Sequence, residues 1–412
     1  MPGGDAAWLA TAFGGLPEPG PGPEHRASSP PAPRLNLIAD RDPRAAALVR
    51  CLLPLGTSYL ARAHAGGEFA FTLAGERGPA GGFRLLARGA SLRYSAICLL
   101  GLMRLGEARS RAALGGDSCD DVLGRLAKRL DQTACIGDVA LICWAAAESG
   151  HSELQHALDR LWQLDRRGGQ IGVVSAAWAL TALVAARRLA DVERHLELCR
   201  DRLLAARRAV FGHLIGGRPP WYRSHVGSFA DQVYPVQALA RLHASSGDPA
   251  ALAAADEVAA ALCLAQGDAG QWWWHYDSRT GAVVERYPAY SVHQHAMAPM
   301  ALLDLAEAGG EDHAGAICRG LRWLARRPET REHLIREHPP VVWRKVARRD
   351  RWKVVRGASA AVTRIHPAAR LPGVDLLLRP GAVDYECRPY ELGWLLYAWL
   401  PGAPARAEDR RW

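Results

Sequence analysis

Six segments of this chain are apolar on nearly every face of the helix each would form. They are YSAICLLGLMRLG (94–106), GDVALICWAAAESG (137–150), SAAWALTALVAARRL (175–189), DQVYPVQALARLHASSG (231–247), HQHAMAPMALLDLAEAGG (293–310) and YELGWLLYAWL (390–400). A helix without a polar face must be covered on all sides. Between them lie amphipathic segments over 118–130, 152–164, 190–208, 249–265 and 312–326, arginine-bearing in all but 249–265. Buried and surface helices therefore alternate, and self-similarity at a helical-hairpin period marks a repeat architecture. The pattern predicts an all-α fold, an (α/α)6 toroid with six inner helices inside a ring of outer ones. A linear solenoid of helix pairs is the alternative, but it rarely strips both faces of a helix of polarity.

The spacing of the inner segments is uneven. The second and third begin at 137 and 175, but the next three begin at 231, 293 and 390. The extra length holds residues 211–229, the stretch GQWWWHYDSRTGAVVERYPAYSVHQHAM, and a piece near 340–388. In that last piece PPVVWRKVARRDRWKVVRG reads as two short strands around a charged turn, so a small β insertion is expected there. Insertions that precede inner helices fall on one rim, where loops on a rigid scaffold carry function. At the other end, a Pro/Gly/Ser-rich stretch over 16–34 reads as a linker. Residues 1–41 are thus expected to be a largely disordered tail and 42–405 the toroid, helical almost without interruption.

Bulk properties exclude several classes of function. No run of about 18 apolar residues is present, so no transmembrane helix is expected. There is no basic segment followed by an apolar one at the N-terminus, which points to the cytoplasm. Nine cysteines are scattered through apolar text, with no CxxC pair and no Cys/His cluster at zinc spacing. They read as core thiols, and neither a metal nor a cofactor is expected. The net charge is +9 and the pI about 9.3, almost all from arginine. That excess can steer an anionic substrate. No basic stripe interleaved with aromatics occurs, so nucleic acid is not an expected partner.

Polar residues of the inner segments concentrate at their starts: Arg93 and Tyr94, Asp138, Ser175, Asp231 with Gln232 and Tyr234, His293 with Gln294 and His295, then Tyr390 and Glu391. Asp138, Ser175 and Asp231 are individually good N-caps. Together the six starts build a polar mouth above an apolar barrel, the setting of a ligand site. Trp272, Trp273 and Trp274 cannot all point to one side of a strand or helix, so at least one lines a surface or a cavity. Indole faces stack on sugar rings and attract cations. His275, Arg286, Tyr287 and Tyr290 follow, and a Tyr/His pair at a helix start suits proton transfer. His293 and His295, two apart, do not share a helix face, so they are a weak metal signal. Two further loops join this rim, with Trp221, Tyr222 and Arg223 in one and Arg388, Tyr390 and Glu391 in the other.

Over roughly residues 42–400 the chain resembles the α/α-toroid superfamilies. One branch is the six-hairpin glycosidases with their polysaccharide-lyase and uronyl-epimerase relatives; the other is the terpene cyclases with the protein prenyltransferases. The terpenoid branch implies a DxDD acid, which this chain lacks, since DSCDD (117–121) has another spacing. The prenyltransferase zinc site implies Asp, Cys and His, but Asp384 and Cys387 are followed by Glu391. The carbohydrate branch implies an enzyme acting on an anionic oligosaccharide or uronate-containing polymer by proton transfer, as lyase, epimerase or hydrolase. Its catalytic residues would be drawn from Tyr290, His293, His295, Asp231 and Glu391. Its substrate-binding set would be Trp221, Tyr222, Arg223, Trp272, Trp273, Trp274, His275, Arg286, Tyr287, Arg388, Tyr390 and Asp138. A terpenoid enzyme and a non-catalytic binding protein are the alternatives. A cavity shared by Tyr290, His293 and an arginine beside the tryptophans favours the sugar reading; a purely apolar cavity favours an isoprenoid.

Overall fold

The computed structural model describes residues 33–78, 82–217, 219–350 and 354–402. Six inner helices run over Leu92–Leu102, Ile136–Ser149, Val173–Ala186, Ala230–Ser246, His293–Glu307 and Pro389–Trp399. Each packs on the next, and the sixth packs on the first, so the ring is closed. This is the (α/α)6 toroid that the loss of helix polarity predicts. Outer helices over Cys119–Ala127, Leu154–Asp165, Glu193–Ala206, Pro249–Leu264 and Ala314–Arg326 lie against their inner partners. The sixth outer helix is Pro43–Ala63, the earliest long helix among the described residues, which packs on the last inner helix. Its N-cap Asp42 accepts from the backbone N–H of Arg44 and Ala45 and from Nε of Arg322, tying it to the neighbouring outer helix.

Closure brings two backbones into contact. A Cβ placed on Gly101 would stand 2.2 Å from the carbonyl oxygen of Gly393, and one on Gly393 would stand 2.8 Å from that of Ile97. Only glycine lets the first and sixth inner helices approach this closely. The interior is filled by large rings, among them Trp144, Trp394, Tyr234 and Tyr397. Where the inner helices end, Glu148 accepts from Arg241 Nη2 and the Tyr397 hydroxyl, both at 2.9 Å. This network ties three inner helices together at that end, beside a cavity of about 230 Å³ that Arg241 and Tyr397 line.

Three parts of the sequence reading are corrected. The segment after residue 63 is not helical: Glu68–Arg77 and Phe83–Ala90 form an antiparallel hairpin, on which Glu386–Cys387 pairs. The boundary at residue 42 cuts off a helix, Pro33–Arg41, whose Arg34 donates to Glu307 at 2.6 Å and to the Ala398 carbonyl at 2.9 Å. Residues 1–32 and 403–405 of the expected tail and toroid lie outside the described residues. The insertion near 340–388 is mixed: Lys345–Arg348 pairs with Ala289–Tyr290 and Pro380–Asp384, but Val354–Ile365 is a helix, not a second strand. These short sheets, with Val226–Ser228 against His275–Asp277, all sit before inner helices and form one rim.

Alanine in place of glycine inside a helix ordinarily gains stability. Gly101→Ala or Gly393→Ala should instead cost about 1–3 kcal/mol by overpacking, while Gly357→Ala, in open space on the Val354–Ile365 helix, should be neutral or stabilising. Urea unfolding measures both, and neutral behaviour at Gly101 and Gly393 would contradict the contact.

Candidate active site at the inner-helix starts

A cavity of about 490 Å³ opens at the rim where the inner helices begin. Of the expected catalytic and substrate-binding residues, Asp231, Trp274, Tyr290, His293 and Tyr390 line it. Arg93, Tyr94, Ser175, Trp178, His213, Ser228, Tyr234 and Arg344 line it with them. The wall is therefore aromatic, with two guanidinium groups and one carboxylate in it.

Asp231 does not cap its helix; Phe229 stands at that position with no side-chain cap. The Asp231 carboxylate is fully buried and accepts from the backbone N–H and hydroxyl of Ser228, both at 2.7 Å, and from His213 Nδ1 at 3.0 Å. His213 is 65% exposed at its side chain. The hydrogen bond and charge of Asp231 raise its pKa above the ordinary value. A carboxylate that orients an imidazole through Nδ1 leaves Nε2 free to exchange a proton with a ligand. His213 lies in the 211–229 insertion, but nothing in its spacing marks it as a partner of Asp231.

The arginines are held from behind. Arg93 Nε donates to Asp138 at 2.7 Å, and its guanidinium lies over the Trp178 ring at 5.3 Å. Arg344 donates to Glu391 at 2.8 Å and to Glu386 at 2.9 Å, and lies 4.9 Å from the Tyr290 ring centroid. Arg388 donates to the Tyr94 hydroxyl at 2.9 Å. Asp138, Glu391 and Arg388 thus touch residues of the wall and do not line the cavity themselves. Burial raises the Glu391 pKa to about 7 against the pull of Arg344.

The three consecutive tryptophans part company. Trp272 is core, against Phe229 at 5.7 Å. Trp273 turns outward to another cavity of about 520 Å³, with Arg286 5.5 Å from its ring centroid. Trp274 faces the mouth cavity, packed on Tyr290 at 4.7 Å. Alternation along an extended segment explains the split. Arg286 therefore lies outside the mouth. Tyr287 is buried with its hydroxyl 3.2 Å from Glu329, and His275 is buried in the strand pair opposite Ser228. Trp221 is 67% exposed, Tyr222 packs on Val226 and Val284, and none of Trp221, Tyr222 and Arg223 lines the cavity. The positive charge of Arg223 nevertheless reaches His213 and His275.

The two histidines of HQH also separate. His293 lies in the wall against Phe229, with ring centroids 4.3 Å apart, and burial lowers its pKa to about 3. It is a neutral ring near pH 7, poorly suited to take a proton. His295 does not reach the cavity and is fully buried. Residues His293–Met297 form a π-helical turn ahead of Pro299. Pro299 has no N–H for the His295 carbonyl, and the Trp399 indole donates to that carbonyl at 2.7 Å instead. The backbone of His295, not its ring, carries the contact.

Solved structures with this architecture include an unsaturated glucuronyl hydrolase from Bacillus sp. GL1, responsible for glycosaminoglycan degradation. It is 13% identical, over 86% of this chain and 95% of that one, with a TM-score of 0.54. An unsaturated glucuronyl hydrolase from Streptococcus agalactiae is 10% identical, over 86% and 91% of the two chains, with a TM-score of 0.54. Another, specific for heparin, is 12% identical, over 85% and 95%, with a TM-score of 0.52. No protein-family model matches the chain, and no curated protein matches it. The likeness establishes the fold alone: the chain is an α/α toroid.

Burial lowers the pKa of His295 to about 3. The unfolded chain takes up that proton near pH 6.5, so the stability contributed by the neutral ring is complete above that pH and is lost as pH falls. His295→Leu should remove about 1.4 kcal/mol per pH unit from the fall in stability between roughly pH 6 and 4. Urea unfolding across that range measures the slope, and an unchanged slope would mean that the ring charges inside the fold.

Proposed function

We propose that this chain is a carbohydrate-active enzyme that works on an oligosaccharide ending in a carboxylate-bearing sugar, by acid–base chemistry in the mouth cavity. The observation that carries this reading is the Asp231–His213 pair sharing one aromatic-walled cavity with Arg93 and Arg344. A purely apolar cavity would suit an isoprenoid; this one has fixed cations and a hydrogen-bonded proton carrier. Arg344, held in place by Glu386 and Glu391, offers a guanidinium to the sugar carboxylate, and such pairs are geometrically specific. Trp178, Trp274 and Tyr390 supply ring faces for the apolar faces of sugars.

His213 and Asp231 would act as one unit, His213 passing the proton and Asp231 fixing its tautomer. They take over the role that the sequence reading gave to His293 and His295. Hydrolysis of an ordinary glycoside uses two carboxylates, and among the described residues Asp231 is the one carboxylate of the cavity wall. The solved neighbours are named for unsaturated glucuronyl substrates, and one is a variant complexed with dGlcA-GalNAc6S. An unsaturated uronyl end is an enol ether. Protonating its double bond while water adds at the carbon bearing the ether oxygen needs one acid–base unit; the resulting hemiketal opens to a ketone, and the hemiacetal left at the anomeric carbon collapses to an aldehyde and releases the next sugar as its alcohol. This chemistry fits a single carboxylate, and hydrolysis of an unsaturated uronyl end is the reading we adopt. Elimination from a saturated uronate is the second reading, favoured by the phenol of Tyr290 in the same wall.

An unsaturated uronyl disaccharide should lose its double-bond absorbance on incubation with the enzyme, whereas elimination from a saturated uronate oligosaccharide would create it. Asp231→Asn should lower kcat about 10²–10⁴-fold. Its thermal midpoint serves as the folding control. A folded Asp231→Asn enzyme with unchanged kcat would remove the pair from the mechanism.

A further inference from the structure

A second cluster of reactive side chains lies in the outer ring and shares no residue with the mouth cavity. The outer helix Leu154–Asp165 ends on Asp165, and the next one, Glu193–Ala206, carries His195 and Cys199 one turn apart on the same face. All three are buried. Asp165 Oδ2 stands 2.9 Å from His195 Nε2 and 3.6 Å from Cys199 Sγ, and the three donor atoms lie within 4.8 Å of one another. Among the described residues this is the single group of three His, Cys, Asp or Glu side chains that converges in this way.

The other oxygen of Asp165 accepts from Nη1 of Arg202. That bond fixes the carboxylate with Oδ2 turned to the histidine and the thiol, as an outer-shell partner does for a ligating carboxylate. The His195 ring rests edge-on against Trp162 at 4.8 Å, which sets its orientation. Donors bound to one tetrahedral zinc at about 2.0–2.3 Å stand about 3.3–3.8 Å apart, so side-chain shifts of about 1 Å or less close this set on an ion.

We propose that Asp165, His195 and Cys199 bind one divalent ion of the zinc class. One sulfur, one nitrogen and one oxygen suit zinc or cobalt and not calcium or magnesium. The fourth position would open to an adjoining cavity of about 250 Å³ that His195 lines with Trp162 and Val192, with room for water. On binding, His195 Nε2 becomes a ligand and Nδ1 carries the ring proton, so the ring stays neutral. The Cys199 thiol loses its proton to solvent, one proton per ion bound. The ion ties two neighbouring outer helices together. The pattern is His-x3-Cys with an aspartate 30 residues before the histidine, which a search for paired short spacings passes over.

The test uses the full chain, stripped with chelator and titrated with Co²⁺. The expected result is one cobalt per chain with a thiolate-to-cobalt charge-transfer band, displaced stoichiometrically by Zn²⁺, and one proton released per ion. Cys199→Ser should abolish the band and Cys263→Ser should keep it. His195→Gln should weaken binding at least about tenfold. Absence of the band in the wild-type chain would overturn the proposal and leave a hydrogen-bonded buried cluster, as would persistence of the band in Cys199→Ser. If Cys199→Ser does not fold, the wild-type titration and the His195→Gln affinity decide the matter.

Discussion

Everything in this molecule depends on two helices from distant parts of the chain meeting backbone to backbone. The first inner helix and the last come together at Gly101 and Gly393, with no space for a side chain between them. That contact turns a row of helical hairpins into a ring, and the outer helix Pro43–Ala63, from the other end of the chain, packs on the last inner helix. A ring of six helices running in sequence brings all six starts to one rim. The polar residues at those starts therefore converge although as many as 297 residues separate them, from Arg93 to Tyr390.

The cavity they form is organised in two layers. The inner layer presents arginines, phenols, indoles and the Asp231–His213 pair. Behind it, Asp138 fixes Arg93, and Glu386 and Glu391 fix Arg344. Each guanidinium is thus oriented before a ligand arrives, which lowers the ordering cost of binding. The positive charge is partly compensated from within the protein, and Glu391, with a pKa raised to about 7, is compensating only when ionised. At the opposite end Glu148 and Arg241 pair across the ring beside a smaller cavity of about 230 Å³.

The ring was legible because burial on all sides erases helix polarity, a signal that the outer helices lack except for the alanine-rich Pro249–Leu264. The rim was legible for a related reason: in a sea of alanine and leucine the charged helix starts stand out. What the sequence hid is which of those groups form the inner layer. Asp138 and Glu391 are as polar as Asp231, but each spends its charge on an arginine that faces the cavity in its place. Arg344 immediately precedes the strand Lys345–Arg348, which pairs with Ala289–Tyr290 only after the insertion folds. His213 meets Asp231 across a loop of 18 residues. The hairpin Glu68–Ala90 was passed over because its short apolar alternation is embedded in helical text. The tryptophan triplet separated as backbone alternation requires, yet the assignment of Trp274 to the cavity needed the strand register.

The most direct test of the central claim is a calorimetric comparison of two disaccharides that differ only in the end sugar, one ending in a uronate and one in the matching neutral hexose. The uronate is expected to bind at least about tenfold more tightly, a difference of about 1.4 kcal/mol, and Arg344→Ala to abolish the preference while the neutral sugar binds as before. Equal affinity for the two sugars in the wild-type protein, or a preference that survives Arg344→Ala, would contradict that claim.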